Sequence, residues 1–304
     1  MAEPRKAEPR DDGKIVDPAL LARLSGLSYR AGQVVEGLLT GHHKSPHHGQ
    51  SVEFAQHREY SPGDEIRHID WKAFAKSDRY HVKQFEDETN LRAYLLLDTS
   101  GSMGYAGGRR ATKRLHAARL AAALAWLLLR QGDAVGLLTF GEKLGHHLPP
   151  RARPDHFWRL VEHMEQAPVQ GPTNVVAALE HIAEIAGRRS LIVLFSDCFD
   201  FDPRLAALAR QLRRRRHRVV VLHVLDPDEL DFPFKELTLF EEMETDAREL
   251  ADPRGMREQY LEEIRSWCEA LRRELLDGDV AYHLVDTAVP VERALYDLIG
   301  GSAR

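Results

Sequence analysis

Four short runs of uniformly apolar residues, separated by stretches with helical spacing, restrict this chain more than any other feature. Tyr94-Leu95-Leu96-Leu97 precedes Leu115 to Leu129, where Leu120, Leu124 and Leu128 recur at helical intervals, and Ala134 to Phe140 is apolar again. Helical patterns follow near Pro154 to Glu165 and from Asn174 to Ala186. Leu191 to Phe195 is the third apolar run, an Arg-rich helix covers about Pro203 to Arg216, and Val219 to Val224 is the fourth run. Strands this apolar are buried on both faces, so helices must cover both sides of a mainly parallel sheet. The expected class is α/β, a Rossmann-like doubly wound sheet.

Composition closes off other classes. The chain has 304 residues, 42 Lys+Arg against 47 Asp+Glu, and a formal net charge of −5, so bulk charge argues against a basic nucleic-acid binder. Leu120 to Leu129, the longest uncharged apolar run, is about half the ~20 residues of a membrane helix, and Met1 to Lys14 is charged where a signal peptide is apolar. The expectation is a cytoplasmic protein with no membrane span. Cys198 and Cys268 are far apart, which leaves no disulfide framework and no thiolate metal site. Any metal must find oxygen or imidazole ligands, and His42, His43, His47 and His48 stand out among 16 histidines.

Three segments follow. Residues 1 to 16 read as a loose tail, 17 to 90 as a separate N-terminal block, and 91 to 300 as the sheet domain. The block opens on a short helix with Asp17 as cap and Leu20, Leu21 and Leu24 on one face. From Gly41 it becomes irregular, with a turn at Ser61-Pro62-Gly63-Asp64 and a short strand at Tyr80 to Phe85. Within the sheet domain Glu236 to Met243 reads as part of a small inserted hairpin. A long helix over Met256 to Leu276, a strand at Val280 to Val285 and a helix at Val291 to Ile299 close the chain.

The chemistry gathers where strands end. Asp98-Thr99-Ser100-Gly101-Ser102 follows the first apolar run and places a carboxylate and two hydroxyls at alternate positions. In open α/β sheets ligands sit at the carboxyl ends of strands. Thr173 opens a helix, and Ser196-Asp197 follows the run ending at Phe195. If the first and third runs are neighbouring strands, Asp98, Ser100, Ser102, Thr173 and Asp197 meet at one end of the sheet. Such hard oxygen donors suit Mg²⁺ or Mn²⁺.

These five residues resemble the metal-ion-dependent adhesion site (MIDAS) of von Willebrand factor A domains: D-x-S-x-S, a Thr on a second loop, and an Asp after a later strand. The resemblance implies that the hydroxyls approach the metal directly or nearly so and that the aspartates bind partly through water. It also implies a coordination position left for an acidic side chain of a partner. Upstream, Gly41-His42-His43-Lys44-Ser45, Arg58-Glu59-Tyr60-Ser61-Pro62-Gly63-Asp64 and Arg67-His68-Ile69-Asp70-Trp71-Lys72 are similar to the signature of the domain-of-unknown-function fifty-eight (DUF fifty-eight) family. The likeness continues in Leu239-Phe240-Glu241-Glu242-Met243-Glu244, Asp252-Pro253 and Asp286-Thr287. That family implies a bacterial, non-enzymatic, metal-dependent protein-interaction module. Its implied partner is a MoxR-type AAA+ ATPase, with which it acts in chaperone-like maturation or activation of other proteins. Arg58, Asp64, Arg67, Asp70, Trp71 and Lys72 read as an ion-paired scaffold or a recognition surface.

The alternatives are a metal-dependent hydrolase, an RNA-binding von Willebrand A protein, and zinc on the histidine cluster with His57. A phosphatase of the haloacid-dehalogenase type needs an Asp where Ser100 stands, and no Gly-x-Ser-x-Gly or G-x-x-x-x-G-K-[ST] occurs. The RNA reading rests on Arg213 to Arg216, in a basic run with Arg218, and on His and Arg residues near the N-terminal block; the ordinary reading of such a run is solvated surface.

Overall fold

The computed structural model describes residues 13–16, 18–27, 53–59, 74, 80–86, 91–187, 189–199, 202, 204–244 and 247–299. The chain divides into two compact units, Met1–His43 with Leu91–Arg304, and Lys44–Asn90. In the smaller unit, β1 (Glu53–Glu59) and β2 (His81–Glu86) form an antiparallel pair with a register shift between Phe54 and Gln56.

In the larger unit, α1 (Pro18–Leu27) is followed by β3 (Arg92–Asp98), α2 (Lys113–Arg130), β4 (Ala134–Phe140), β5 (Leu144–Arg151), α3 (His156–Gln166) and α4 (Val175–Ile185). Then come β6 (Leu191–Ser196), α5 (Arg204–Arg214), β7 (Arg218–Leu225) and α6 (Pro227–Asp231). The chain continues through β8 (Thr238–Glu241), β9 (Arg248–Ala251), α7 (Pro253–Asp277), β10 (Ala281–Asp286) and α8 (Val291–Ile299). The main sheet has the order β10-β7-β6-β3-β4-β5, parallel throughout except for β5. This is the doubly wound α/β class expected, with the inserted hairpin formed by β8 and β9.

Alternation along the strands explains the uninterrupted apolar runs. Ala93, Leu95 and Leu97 of β3 enter one core with α1, α2, α3 and α8, while Tyr94 and Leu96 enter the other with α4, α5 and α7. Every residue of β3 from Ala93 to Asp98 is buried, so both faces stay apolar until the strand ends at Asp98. Leu20 and Leu24 of α1 belong to the first core, so this helix, read as part of the N-terminal block, packs with the sheet.

The sequence gives no cue for β5. It is an edge strand carrying Pro149 and Pro150, which cannot donate to a ladder and are confined to such edges. It approaches β4 so closely that a Cβ on Gly136 would lie 2.8 Å from the Leu148 carbonyl oxygen, which is why glycine stands there.

Strand order reverses at β3, whose next strand in sequence, β4, lies on one side and β6 on the other. The carboxyl ends of β3 and β6 therefore flank a topological switch point, the place where open α/β sheets bind ligands.

Candidate functional site

Asp98 is the last residue of β3 and is fully buried. Its Oδ1 accepts the Ser100 backbone N–H at 2.9 Å. Its Oδ2 accepts the hydroxyls of Thr173 at 3.0 Å and Ser196 at 2.6 Å. Three neutral donors are thus spent on one carboxylate, and among the described residues no basic side chain pairs with it. Burial, with the nearby Asp197 charge, pushes the Asp98 carboxyl up from 3.8 to about 6 against the pull of the Ser196 and Ser100 hydrogen bonds.

The loop after β3 is stitched to its neighbours by backbone bonds. Thr99 N–H bonds the Phe140 carbonyl at 2.7 Å, Gly101 N–H the Gly171 carbonyl at 2.8 Å, and Gln170 N–H the Thr99 carbonyl at 3.1 Å. Gly171, at φ +70°, turns the chain into Thr173, and Asn174 then caps α4 by accepting the Ala177 N–H at 3.0 Å. These ties fix the hydroxyls. Ser100 Oγ lies 3.2 Å from Ser102 Oγ. Adjacent oxygens in an octahedral Mg²⁺ shell lie about 3 Å apart, given Mg–O distances of about 2.1 Å, so the spacing fits one ion.

Asp197 occupies a different environment. It is fully buried, and its Oδ2 accepts from the Lys113 ammonium at 2.8 Å. Lys113, at the start of α2, is itself fully buried, donates to Glu229 Oε1 at 2.6 Å, and lies 4.7 Å from the centroid of the Phe199 ring. Burial alone would lower the lysine, but Asp197 and Glu229 outweigh it and hold the ammonium above its ordinary value. Asp197 and Glu229 share the one Lys113 ammonium, and Asp98, beside Asp197, has no cation of its own among the described residues.

Four of the five residues singled out from the sequence, Asp98, Ser100, Ser102 and Thr173, form one hydrogen-bonded cluster. Asp197 is near enough to perturb Asp98 but is engaged by Lys113. Ser196, Lys113 and Glu229 are additions. Ser196 was visible beside Asp197, and Glu229 had a signal in Asp226-Pro227-Asp228-Glu229, which forms a capping box at α6. Lys113 had none, since a Lys-Arg pair opening a helix reads as solvated.

Among the described residues no three His, Cys, Asp or Glu side chains are grouped to hold a metal, so any cation here rests on hydroxyls beside a carboxylate. Arg58 and His57 lie in β1, where only the strand is described. Asp64, Arg67, Asp70, Trp71, Lys72, His42, His43, His47 and His48 lie outside the described residues. The basic run is partly tied into the fold: Arg213 bonds the His217 carbonyl and pairs with Asp279, and Arg215 bonds the Ala183 carbonyl at 2.8 Å.

The family described as "Protein of unknown function DUF58" matches residues 56–268. This chain belongs to that family. Uncharacterized proteins of Mycobacterium bovis and Mycobacterium tuberculosis are each 30% identical to this DUF58 protein over 227 residues, covering 73% of this chain and 70% of theirs. Among solved structures, an aerotolerance-related membrane protein from Bacteroides fragilis is similar with a TM-score of 0.46 and 19% identity, covering 70% of this chain and 100% of that one. The hypothetical protein BatB from Bacteroides thetaiotaomicron has a TM-score of 0.45 and 16% identity, covering 69% and 97%. The SpRpn10 VWA domain has a TM-score of 0.37 and 16% identity, covering 70% and 95%. The cytoplasmic location expected from the sequence is withdrawn: the Bacteroides fragilis neighbour is described as a membrane protein, which is said of that protein alone, and no location is assigned to this chain. Charge at Met1 to Lys14 and a short apolar run were too little to fix a location. Among the described residues no helix is long and apolar enough to cross a membrane.

Proposed function

We propose that this DUF58 protein is a non-enzymatic, metal-dependent interaction module of the MIDAS type. Mg²⁺ or Mn²⁺ sits on Ser100, Ser102 and Thr173 beside Asp98, with Asp197 behind them, and the coordination position left open takes an acidic side chain of a partner. The observation that carries this reading is Asp98: a fully buried carboxylate with no basic partner among the described residues, ringed by hydroxyls at a switch point. A dication answers both the missing charge and the hard oxygen donors.

The ammonium of Lys113 on Asp197 supports an outer role for that aspartate. Few direct carboxylates leave the cation electrophilic enough to capture one from outside. With Asp98 accepting three hydrogen bonds and Asp197 ion-paired, neither is a free general base, which supports binding over hydrolysis. The partner we propose, by family resemblance, is a MoxR-type AAA+ ATPase, which the module assists in maturation or activation of other proteins.

The test is a pull-down from native lysate with Mg²⁺, with chelator, and with Asp98→Ala. An AAA+ ATPase recovered only by the wild type in Mg²⁺ supports the mechanism. Equal recovery in all three conditions overturns the metal bridge, and no recovery of such an ATPase overturns the partner.

A further inference from the structure

The β8–β9 hairpin is inserted between α6 and α7, and its strands pair from Thr238 with Ala251 to Glu241 with Arg248. The hairpin is held by aromatic packing. The Phe240 ring lies parallel to Phe232 at 5.9 Å and edge-on to Phe234 at 5.4 Å, and Phe232 stacks on Tyr260 at 4.4 Å. The Tyr260 hydroxyl donates to the Glu229 carbonyl at 3.0 Å, and the Glu229 carboxylate holds Lys113. The hairpin is therefore moored to the segment that neutralises Asp197.

Its tip lies on the loop that carries the two serines. A Cβ built on Gly101, between Ser100 and Ser102, would lie 2.2 Å from the Met243 carbonyl oxygen and 3.5 Å from the Glu244 Cα. On Gly104 it would lie 3.5 Å from the Met243 methyl carbon. Only a residue without a side chain at position 101 lets the hairpin backbone come this close. Glu242 and Met243 are exposed, whereas Glu244 is half-buried. A glutamate carboxylate stands two methylenes beyond its Cα, and its rotamer selects which neighbour it meets.

We propose that Glu244 is this chain's own acidic ligand for the cation, filling the coordination position that a partner's carboxylate must take over. The inference rests on the metal-site reading above. A bound cation is what draws the Glu244 carboxylate to this loop. With one bound, the carboxylate bridges the hairpin to the Ser100–Ser102 loop. The resting module is then self-capped, and only a partner carboxylate presented at high effective concentration displaces the tip.

Mn²⁺ alone is the probe, titrated into the full chain and followed by water-proton relaxation, which reports both affinity and the exchangeable waters on the bound ion. Glu244→Gln is expected to weaken Mn²⁺ binding by about tenfold, in the range that loss of metal-supporting partners produces, and to raise relaxation per bound ion as water replaces the carboxylate. Glu242→Gln, on the same hairpin, is expected to match the wild type in both readouts. If Glu244→Gln matches the wild type while Asp98→Ala loses Mn²⁺, the self-ligand falls and the metal site stands. If Glu242→Gln behaves like Glu244→Gln, a general charge effect replaces the specific ligand and overturns the proposal. If the wild type binds no Mn²⁺, both readings fail.

Discussion

Asp98 and Asp226 both lie at the carboxyl ends of parallel strands, β3 and β7, and both are fully buried, yet their surroundings are opposite. Asp226 accepts a guanidinium fork from Arg110 at 2.8 and 3.2 Å, the Gly107 N–H at 3.2 Å, the Asp228 N–H at 2.9 Å and the Thr287 hydroxyl at 3.0 Å. Burial alone would raise its carboxyl, but Arg110 and these N–H donors hold it below the ordinary value. Asp98 has hydroxyls and one amide but no cation among the described residues, and its carboxyl rises to about 6. One strand end is a closed latch that pins the 105–112 loop, while the other has no counter-charge among the described residues. A buried carboxylate is therefore not in itself a sign of function; the missing counter-charge is.

The comparison breaks if the two aspartates respond alike to mutation. Asp226→Ala leaves the Gly107 and Asp228 N–H groups and the Thr287 hydroxyl without their acceptor and Arg110 with Asp228 alone, and is expected to cost about 3 to 5 kcal/mol in denaturant unfolding, with no dependence on Mg²⁺. Asp98→Asn is expected to do the reverse in chelator. Its folded-state pKa lies above the unfolded value, so the wild type has this contribution in full below pH 3.8 and loses it as pH rises through about 6. At pH 7.5 the Asn variant is then more stable than the wild type by up to about 3 kcal/mol, and the gap closes toward pH 4. Unfolding curves of the two proteins at several pH values read this directly. A gap of the opposite sign means that Asp98 already has a counter-charge.

Smaller effects sharpen the contrast. Mg²⁺ at a hundred times its dissociation constant is expected to stabilise the wild type by about 2.7 kcal/mol and to leave Asp98→Asn unmoved. Thr287→Val and Thr173→Val each remove one hydroxyl donor from a buried carboxylate. The first is expected to cost about 1 to 2 kcal/mol with the Mg²⁺ response intact, and the second to abolish that response. Thermal melts with Mg²⁺ and with chelator separate the two.

What the sequence revealed follows from burial. β3, β6 and β7 announce themselves because both of their faces are covered, and α4 through its cap at Asn174 and the spacing of Val175, Leu179 and Ile182. β5 stays hidden because an exposed edge with two prolines has no apolar signature. Asp98, Ser100, Ser102 and Thr173 were legible because D-x-S-x-S and a helix-opening Thr mark strand ends. Lys113 was not, since its burial depends on Asp197 and Glu229, which are 84 and 116 residues away in sequence. The hairpin could be placed along the chain but not in space, because nothing local in Met243 or Glu244 says that they rest on Gly101.

Asp98 closes a strand whose preceding residues from Ala93 onward are apolar and buried, so its charge state cannot be relieved by turning toward water. Whatever neutralises it, proton or cation, is therefore a reagent in the folding equilibrium itself. With a cation in the proposed site, the melting temperature of this domain is a titration curve of its ionic surroundings, and a shift in free divalent cation registers first as a change in how firmly the sheet holds together.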